Sequence, residues 1–185
     1  SNQDTCVYKL CITSSWQNLS NSTFIYDMKV YQGKLIVAGS FNLSGAMNIA
    51  AWNGTTWSSL GSGINGTVEA LEVHNGLLYA GGSFTNPGSN LAVWNGINWN
   101  SVGGGTNGTV YKLLSFNSNL IAGGLFSSPN SNIAQWNGIN WTGLGSGTNG
   151  KVTGLGTFNG TLIAGGIFNL AGGNNVSNIA QWNGN

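Results

Sequence analysis

Asn75-Gly-Leu-Leu-Tyr-Ala-Gly-Gly-Ser-Phe84 returns 42 residues later as Asn117-Ser-Asn-Leu-Ile-Ala-Gly-Gly-Leu-Phe126. It returns after another 42 as Asn159-Gly-Thr-Leu-Ile-Ala-Gly-Gly-Ile-Phe168, and an earlier copy runs from Gln32 to Phe41. A Trp-Asn-Gly follows each copy, at Trp52, Trp94, Trp136 and Trp182, and a second indole follows at Trp57, Trp99 and Trp141. Self-similarity at this period means one supersecondary unit copied several times.

Each unit parses into four short strands. In the second, Thr67 to Val73 alternates apolar and polar, and Gly76 to Ala80 follows across His74-Asn75-Gly76, a hairpin signal of the Asn-Gly type. Asn90 to Trp94 comes next, then the Asn95-Gly96 turn, then Asn98 to Val102. Four antiparallel strands per 40 to 45 residues is the pattern of a β-propeller blade. The predicted fold is all-β: a β-propeller of four blades with four strands each. Its predicted core holds Trp52, Trp94, Trp136 and Trp182 at one repeated position and Phe41, Phe84, Phe126 and Phe168 at another. The pairs Gly81-Gly82, Gly123-Gly124 and Gly165-Gly166 are expected to end the second strand, where the chain turns or a neighbouring blade approaches closely. No helix follows them, so they are not phosphate loops.

The order apolar strand, Leu-Tyr-Ala-Gly-Gly, Trp-containing strand, then Trp-x-x-Leu/Val resembles the kelch and galactose-oxidase type of propeller. The fuller phrase Trp-Asn-Gly-x-x-Trp-x-x-Leu-Gly-Ser-Gly-x-Asn-Gly is most similar to repeats in fungal cortical polarity-marker ectodomains and related secreted propellers. The resemblance spans about Trp16 to Trp182. It implies the fold and leaves the function open, because propellers host many unrelated activities.

The last repeat reaches its third strand at Asn178-Ile-Ala-Gln-Trp-Asn-Gly184. The expected fourth strand reads Trp-x-x-Leu, and Trp16-Gln-Asn-Leu19 supplies that pattern ahead of a first strand at Phe24 to Val30. In kelch-like propellers an N-terminal strand completes the last blade in this way. The expected organisation is therefore a propeller over 16–185 and an extension over 1–15. Within the extension, Cys6-Val-Tyr-Lys-Leu-Cys11 reads as a further strand with no vacancy inside one ring. It can lie on its own ring, or Val7, Tyr8, Lys9 and Leu10 can add to an exposed sheet edge of another copy. Head-to-tail pairing of that kind propagates unless the rotation closes. Cys6 and Cys11 fit an oxidising setting. A bridge between them needs a local loop, since a strand would hold them roughly 16 Å apart; an intermolecular bridge is the alternative.

Charged residues make up 5% of the 185, and there is no Arg, against roughly 25% in an ordinary soluble domain. The net charge of +1 gives no basic stripe for nucleic acid or an anionic membrane surface. No apolar run approaches the roughly 20 residues of a membrane span. Nine Asn-X-Ser/Thr sequons occur, at Asn18, Asn21, Asn42, Asn53, Asn65, Asn107, Asn140, Asn159 and Asn175. Glycans there would replace the missing charge as a solubilising layer. Asn65 and Asn107 between repeats, with Asn53 and Asn159 in turns, are the leading sites. Asn149 lacks the hydroxyl residue, because Lys151 takes its place. Extracellular or cell-surface location follows as an expectation, with Ser1 as a processed end.

Catalytic groups are few. His74, beside a hairpin turn, is expected to be a solvated turn residue, and one His does not make a His-based metal site. The copper site that the galactose-oxidase resemblance brings with it uses two His, two Tyr and a Cys, which this chain does not match. The acids are Asp4, Asp27, Glu69 and Glu72. Glu69 and Glu72 share a strand at odd spacing and make a poor glycosidase pair; Asp27 and Lys29 read as a surface pair on one face. No catalytic elbow or Walker loop occurs, so neither catalysis nor a cofactor is expected. The reading is a secreted, N-glycosylated structural protein that self-assembles head-to-tail through its N-terminal strand. The alternative is a lectin-like or adhesive propeller that binds carbohydrate through repeated loops.

Overall fold

The computed structural model of the chain describes residues 24–43 and 45–184. Every regular element among them is a β-strand. The first sheet runs β1 (Phe24–Tyr31), β2 (Lys34–Leu43), β3 (Ala46–Trp52) and β4 (Trp57–Ser59) in sequence order. The second runs β5 (Thr67–His74), β6 (Leu77–Ser83), β7 (Leu91–Trp94) and β8 (Trp99–Ser101). The third runs β9 (Thr109–Phe116), β10 (Asn119–Leu125), β11 (Ile133–Trp136) and β12 (Trp141–Gly143). In the fourth, β13 (Val152–Phe158) and β14 (Thr161–Gly166) pair with β17 (Ile179–Gln181), and a small hairpin of β15 (Leu170–Ala171) and β16 (Asn174–Asn175) intervenes. All pairings are antiparallel. The strand boundaries follow the sequence pattern closely.

Turn chemistry explains the local fold. The first two strands of each sheet join across Gln32-Gly33, Asn75-Gly76, Asn117-Ser118 and Asn159-Gly160, with both residues at positive φ every time. That is the two-residue hairpin turn whose twist matches the flanking strands. The third and fourth strands join at Asn53, Asn95 and Asn137, where the amide oxygen accepts two backbone N–H groups, for example from Ile97 and Asn98 at 2.9 and 2.7 Å.

Successive sheets stack face to face. Ile36, Ile49 and Leu60 of the first sheet pack with Val68, Leu71, Leu78 and Trp94 of the second. Tyr79, Leu91 and Val102 meet Val110, Leu113, Leu120 and Trp136. Ile121, Ile133 and Leu144 meet Val152, Leu162 and Phe168. The inner strands follow the same order, with β1 on β5, β5 on β9 and β9 on β13. Among the described residues no packing of comparable extent joins β13 to β1. Trp16 to Leu19, the expected closing strand, and the extension over 1–15 lie outside the described residues.

Gly165-Gly166 end their second strand as expected, and Gly81-Gly82 and Gly123-Gly124 lie one residue before the end of theirs. A Cβ on Gly81 would sit 2.7 Å from Val110 Cγ1 of the next sheet, and one on Gly123 would sit 2.7 Å from Val152 Cγ1. A Cβ on Gly82 or Gly124 would lie 2.1 Å from the carbonyl oxygen of Thr67 or Thr109 in its own sheet. The first glycine of each pair thus sets the spacing between sheets, and the second accommodates the bulge in the first strand. Phe41, Phe84, Phe126 and Phe168 are all buried, as expected. Trp94 and Trp136 are buried, whereas Trp52 and Trp182 are half-buried. The indoles are equivalent in position but not in environment, because those of the two end sheets lack a neighbour on one side among the described residues.

Candidate functional site

The repeat makes its own reference for what is unusual. In each sheet one face receives the next sheet and the other packs on the previous one. On the receiving face, Tyr31, His74 and Phe116 are equivalent to Phe158, and Ile36, Tyr79 and Ile121 are equivalent to Ile163. Ile49, Leu91 and Ile133 are likewise equivalent to Ile179. The interior members are buried or, for Phe116, half-buried. Phe158 is 68% exposed and Ile179 is 63% exposed. Gly165, equivalent to Gly81 and Gly123, has among the described residues only a backbone oxygen at 3.9 Å near its Cβ position. At the other end of the row, Ile25 and Met28 are equivalent to Val68 and Leu71, which are buried. Ile25 is 41% exposed and Met28 is 56% exposed. One end of the row therefore presents knobs, and the other presents the matching receiving face.

The fourth sheet has a second feature at the same end. In the interior sheets, the indole of the fourth strand reaches back to the preceding sheet. Trp99 Nε1 donates to the Leu60 carbonyl at 3.2 Å, and Trp141 Nε1 donates to the Val102 carbonyl at 3.0 Å. The next carbonyl in this series is that of Leu144. Beside it, among the described residues, is a cleft of about 310 Å³ lined by Leu144, Ala180, Gln181, Trp182 and Leu162. Among the described residues, no strand pairs with the outer edge of β17.

The few titratable side chains join sheets together. His74 is buried, not solvated: it ends β5 at the position of Tyr31 and Phe116, whose side chains face the next sheet. Its Nδ1 lies 2.8 Å from Ser115 Oγ, and its Nε2 lies 3.1 Å from Asn75 Nδ2. The amide nitrogen is a donor, so Nε2 accepts and Nδ1–H donates to the hydroxyl. Burial holds the imidazole pKa below its ordinary value, opposed by the Glu72 carboxylate. A lowered folded pKa means the unfolded chain binds the proton more readily. The contribution of neutral His74 to stability is complete above about pH 6.5 and is lost as pH falls through the folded value. Thermal melts should show a lower midpoint at about pH 5.5 than at about pH 7.5, and His74→Gln should narrow that difference.

Asp27 and Lys29 do not pair with each other. Lys29 Nζ lies 2.9 Å from Glu72 of the second sheet. The Asp27 carboxylate accepts the Leu71 N–H at 2.9 Å and the Met28 N–H at 2.8 Å. Both groups thus bind β1 to β5, whose backbone lies within reach. Glu69 is the extra residue of a bulge between Val68 and Ala70, and burial raises its pKa. Among the described residues no group of three or more His, Cys, Asp or Glu is arranged to hold a metal ion, and no helix is long and apolar enough to cross a membrane.

Asn42, Asn53, Asn65, Asn107, Asn140, Asn159 and Asn175 are all exposed. Asn18 and Asn21, the pair Cys6 and Cys11, and the segment Val7, Tyr8, Lys9 and Leu10 lie outside the described residues. The linker asparagines also have a structural task. Asn65 Oδ1 accepts the N–H groups of Thr85 and Asn86, Asn107 Oδ1 those of Ser127 and Ser128, and Asn149 Oδ1 those of Asn169 and Leu170. Asn149 makes the same clamp without a sequon, so the linker itself calls for Asn here. Glycosylation of Asn65 or Asn107 leaves one amide hydrogen for the bond each makes to Thr85 Oγ1 or Ser127 Oγ.

A further set escaped the sequence reading. Asn48, Asn90, Asn132 and Asn178 share one repeat position and a left-handed backbone, with φ of 61 to 64°. Each accepts the N–H of Phe41, Phe84, Phe126 or Phe168. The first three donate to the carbonyls of Ile64, Thr106 and Thr148 in the following linker. The available signal was the Asn before Ile/Leu-Ala in every repeat.

The chain matches no protein-family model and no curated protein. Among solved structures it is similar to two computationally designed proteins. Ika4 aligns with a TM-score of 0.59 and 16% identity over 91% of this chain and 98% of its own. Ika8 aligns with a TM-score of 0.52 and 14% identity over 76% of this chain and 42% of its own length. At these identities the likeness shows the fold alone.

Proposed function

We propose that this is a non-enzymatic, self-assembling structural protein of the extracellular surface. In this reading the four sheets are blades of a kelch-like propeller, similar to the repeats of secreted fungal polarity-marker ectodomains. A Trp16 to Leu19 strand completes a fourth blade. Exposed sequon asparagines carry N-glycans, which supply the solubility that nine charged side chains do not. The observation that carries the reading is the pair of unlike ends left uncovered among the described residues. Ile25 and Met28 project at one end, and Phe158, Gly165 and Ile179 lie open at the other. Unlike faces that fit each other make heterologous, head-to-tail contacts. The strand at Val7 to Leu10 would add main-chain hydrogen bonds to such a contact.

Sedimentation and negative-stain microscopy of the secreted protein test this. Concentration-dependent oligomers or fibres are expected, together with mass loss on N-glycosidase treatment. A particle that stays monomeric at every concentration would refute assembly. A lectin-like reading draws on the half-exposed indoles of Trp52 and Trp182, and saturable binding of a glycan by the monomer would favour it.

A further inference from the structure

Asn followed by Gly recurs at eight hairpins and linkers of this chain, and the dipeptide carries its own chemistry. The backbone nitrogen of the glycine can close a five-membered ring on the side-chain carbon of the Asn, and a residue without a Cβ leaves that approach open. Seven of the eight amides are restrained. At Asn53, Asn95 and Asn137 the amide oxygen accepts two backbone N–H groups within the turn. At Asn65, Asn107 and Asn149 it accepts two from the facing loop, and Nδ2 donates to Thr85, Ser127 or Asn169. The glycines of these linkers are pressed as well: a Cβ on Gly66, Gly108 or Gly150 would lie 2.3, 2.2 or 2.1 Å from a carbonyl oxygen. Asn75 Nδ2 bonds to the buried His74 ring at 3.1 Å.

Asn159 is the eighth, and its setting differs. It sits at the tip of the β13–β14 hairpin, where Thr157, Phe158, Asn159 and Gly160 are all exposed. At the same tip of the first two sheets, Gln32 and Asn75 bond to the residue just before them, Tyr31 and His74. Asn159 follows Phe158, which offers no hydrogen-bonding atom in its side chain. Among the described residues the Asn159 amide makes no hydrogen bond, and nothing lies within 4 Å of a Cβ built on Gly160. The third sheet supplies a natural comparison: its tip is Asn117-Ser118, with the same positive φ at both residues but a Cβ on the second.

We propose that Asn159-Gly160 is a site of self-modification, where the folded chain converts Asn159 to aspartate and isoaspartate ahead of the other Asn-Gly turns and linkers. The Gly160 backbone nitrogen attacks Asn159 Cγ. The N–Cγ bond forms, the Cγ–Nδ2 bond breaks, and ammonia leaves with the proton that the backbone nitrogen gives up. Water then opens the succinimide at either carbonyl, giving aspartate or a chain that runs through the side-chain carbon. Aspartate removes the net charge of +1. Isoaspartate lengthens the backbone of a two-residue turn that holds Phe158 opposite Thr161, where loop length sets the register. The reaction needs an unsubstituted amide, so it competes with a glycan for the same nitrogen. It depends on neither glycosylation nor self-association.

The test is timed incubation of the full chain, made in a host without N-glycosylation, in mildly alkaline buffer. Peptide mapping by mass spectrometry then follows each Asn, with aspartate and isoaspartate separated. Asn159 should convert about ten-fold or more faster than the six amides held by two or more hydrogen bonds. In concentrated urea, where those bonds are gone, the eight rates should draw together. Gly160→Ser gives the fourth sheet the turn that the third sheet already folds with, and should lower conversion of Asn159 to the rate at Asn117. The site is overturned if a clamped Asn converts as fast as Asn159 in the folded chain. It is overturned equally if Asn159 stays intact, or if Gly160→Ser converts as fast as the parent.

Discussion

Trp136→Ala will destabilise the protein by about 3–5 kcal/mol, the range for a large aromatic removed from a packed core. The indole is buried between the second and third sheets, among Leu91, Val110, Leu120 and Phe126. It packs on Trp141 with 5.5 Å between ring centroids at 43°. A Cβ on Gly103 would lie 2.2 Å from its Cζ3, so the loop beneath it is shaped around the ring. Gly103 itself is held at φ 55°. Thermal or urea unfolding will show the loss, with the midpoint falling by roughly 10 °C or more. Trp52→Ala will cost clearly less, since that indole is half-exposed. An equal loss at both positions would show that the end sheets are packed like the interior ones.

Asn132→Leu is expected to cost at least as much, roughly 3–8 kcal/mol, although the side chains are similar in size. Asn132 Oδ1 accepts the Phe126 N–H at 3.1 Å, and its Nδ2 donates to the Thr148 carbonyl at 2.8 Å. Leucine leaves both backbone groups unpaired in a buried setting, at about 1–3 kcal/mol each. It must also adopt φ of 61°, which adds about 1–2 kcal/mol for a residue other than Gly, Asn or Asp. Asn132→Gly relieves the backbone term and keeps the loss of both bonds. Unfolding midpoints in the order Asn, Gly, Leu will separate the two contributions. A Gly variant as stable as the parent would show that water replaces the amide at no cost.

The fold was legible because its determinants are local. A 42-residue copy, alternating apolar positions and Asn-Gly turns are all read along the chain. The buried Phe series followed from repetition alone. The polar residues were less legible, since their partners lie in other repeats. His74 looked like a turn residue because it precedes Asn75-Gly76, yet its ring sits against Ser115, 41 residues away. Asp27 looked paired with Lys29, yet its oxygen caps Leu71, 44 residues away. The Asn65 and Asn107 sequons gave only the glycan reading, whereas the same side chains hold the linkers, as Asn149 shows without a sequon.

The sequence by itself determined that this chain builds repeated four-stranded antiparallel sheets, where they turn, and which aromatic series lies inside. Those properties depend on backbone sterics and on hydrophobic period, which act over a few residues. Only the tertiary structure decided what each repeat meets. Ile25, Val68, Val110 and Val152 occupy one repeat position, and Gly81, Gly123 and Gly165 another, each glycine within the same Ala-Gly-Gly. Yet Val110 and Val152 press on Gly81 and Gly123, while Gly165 and Ile25 stand open. Burial is a property of the neighbour as much as of the residue, so equivalent side chains become core or contact surface according to the sheet stacked upon them.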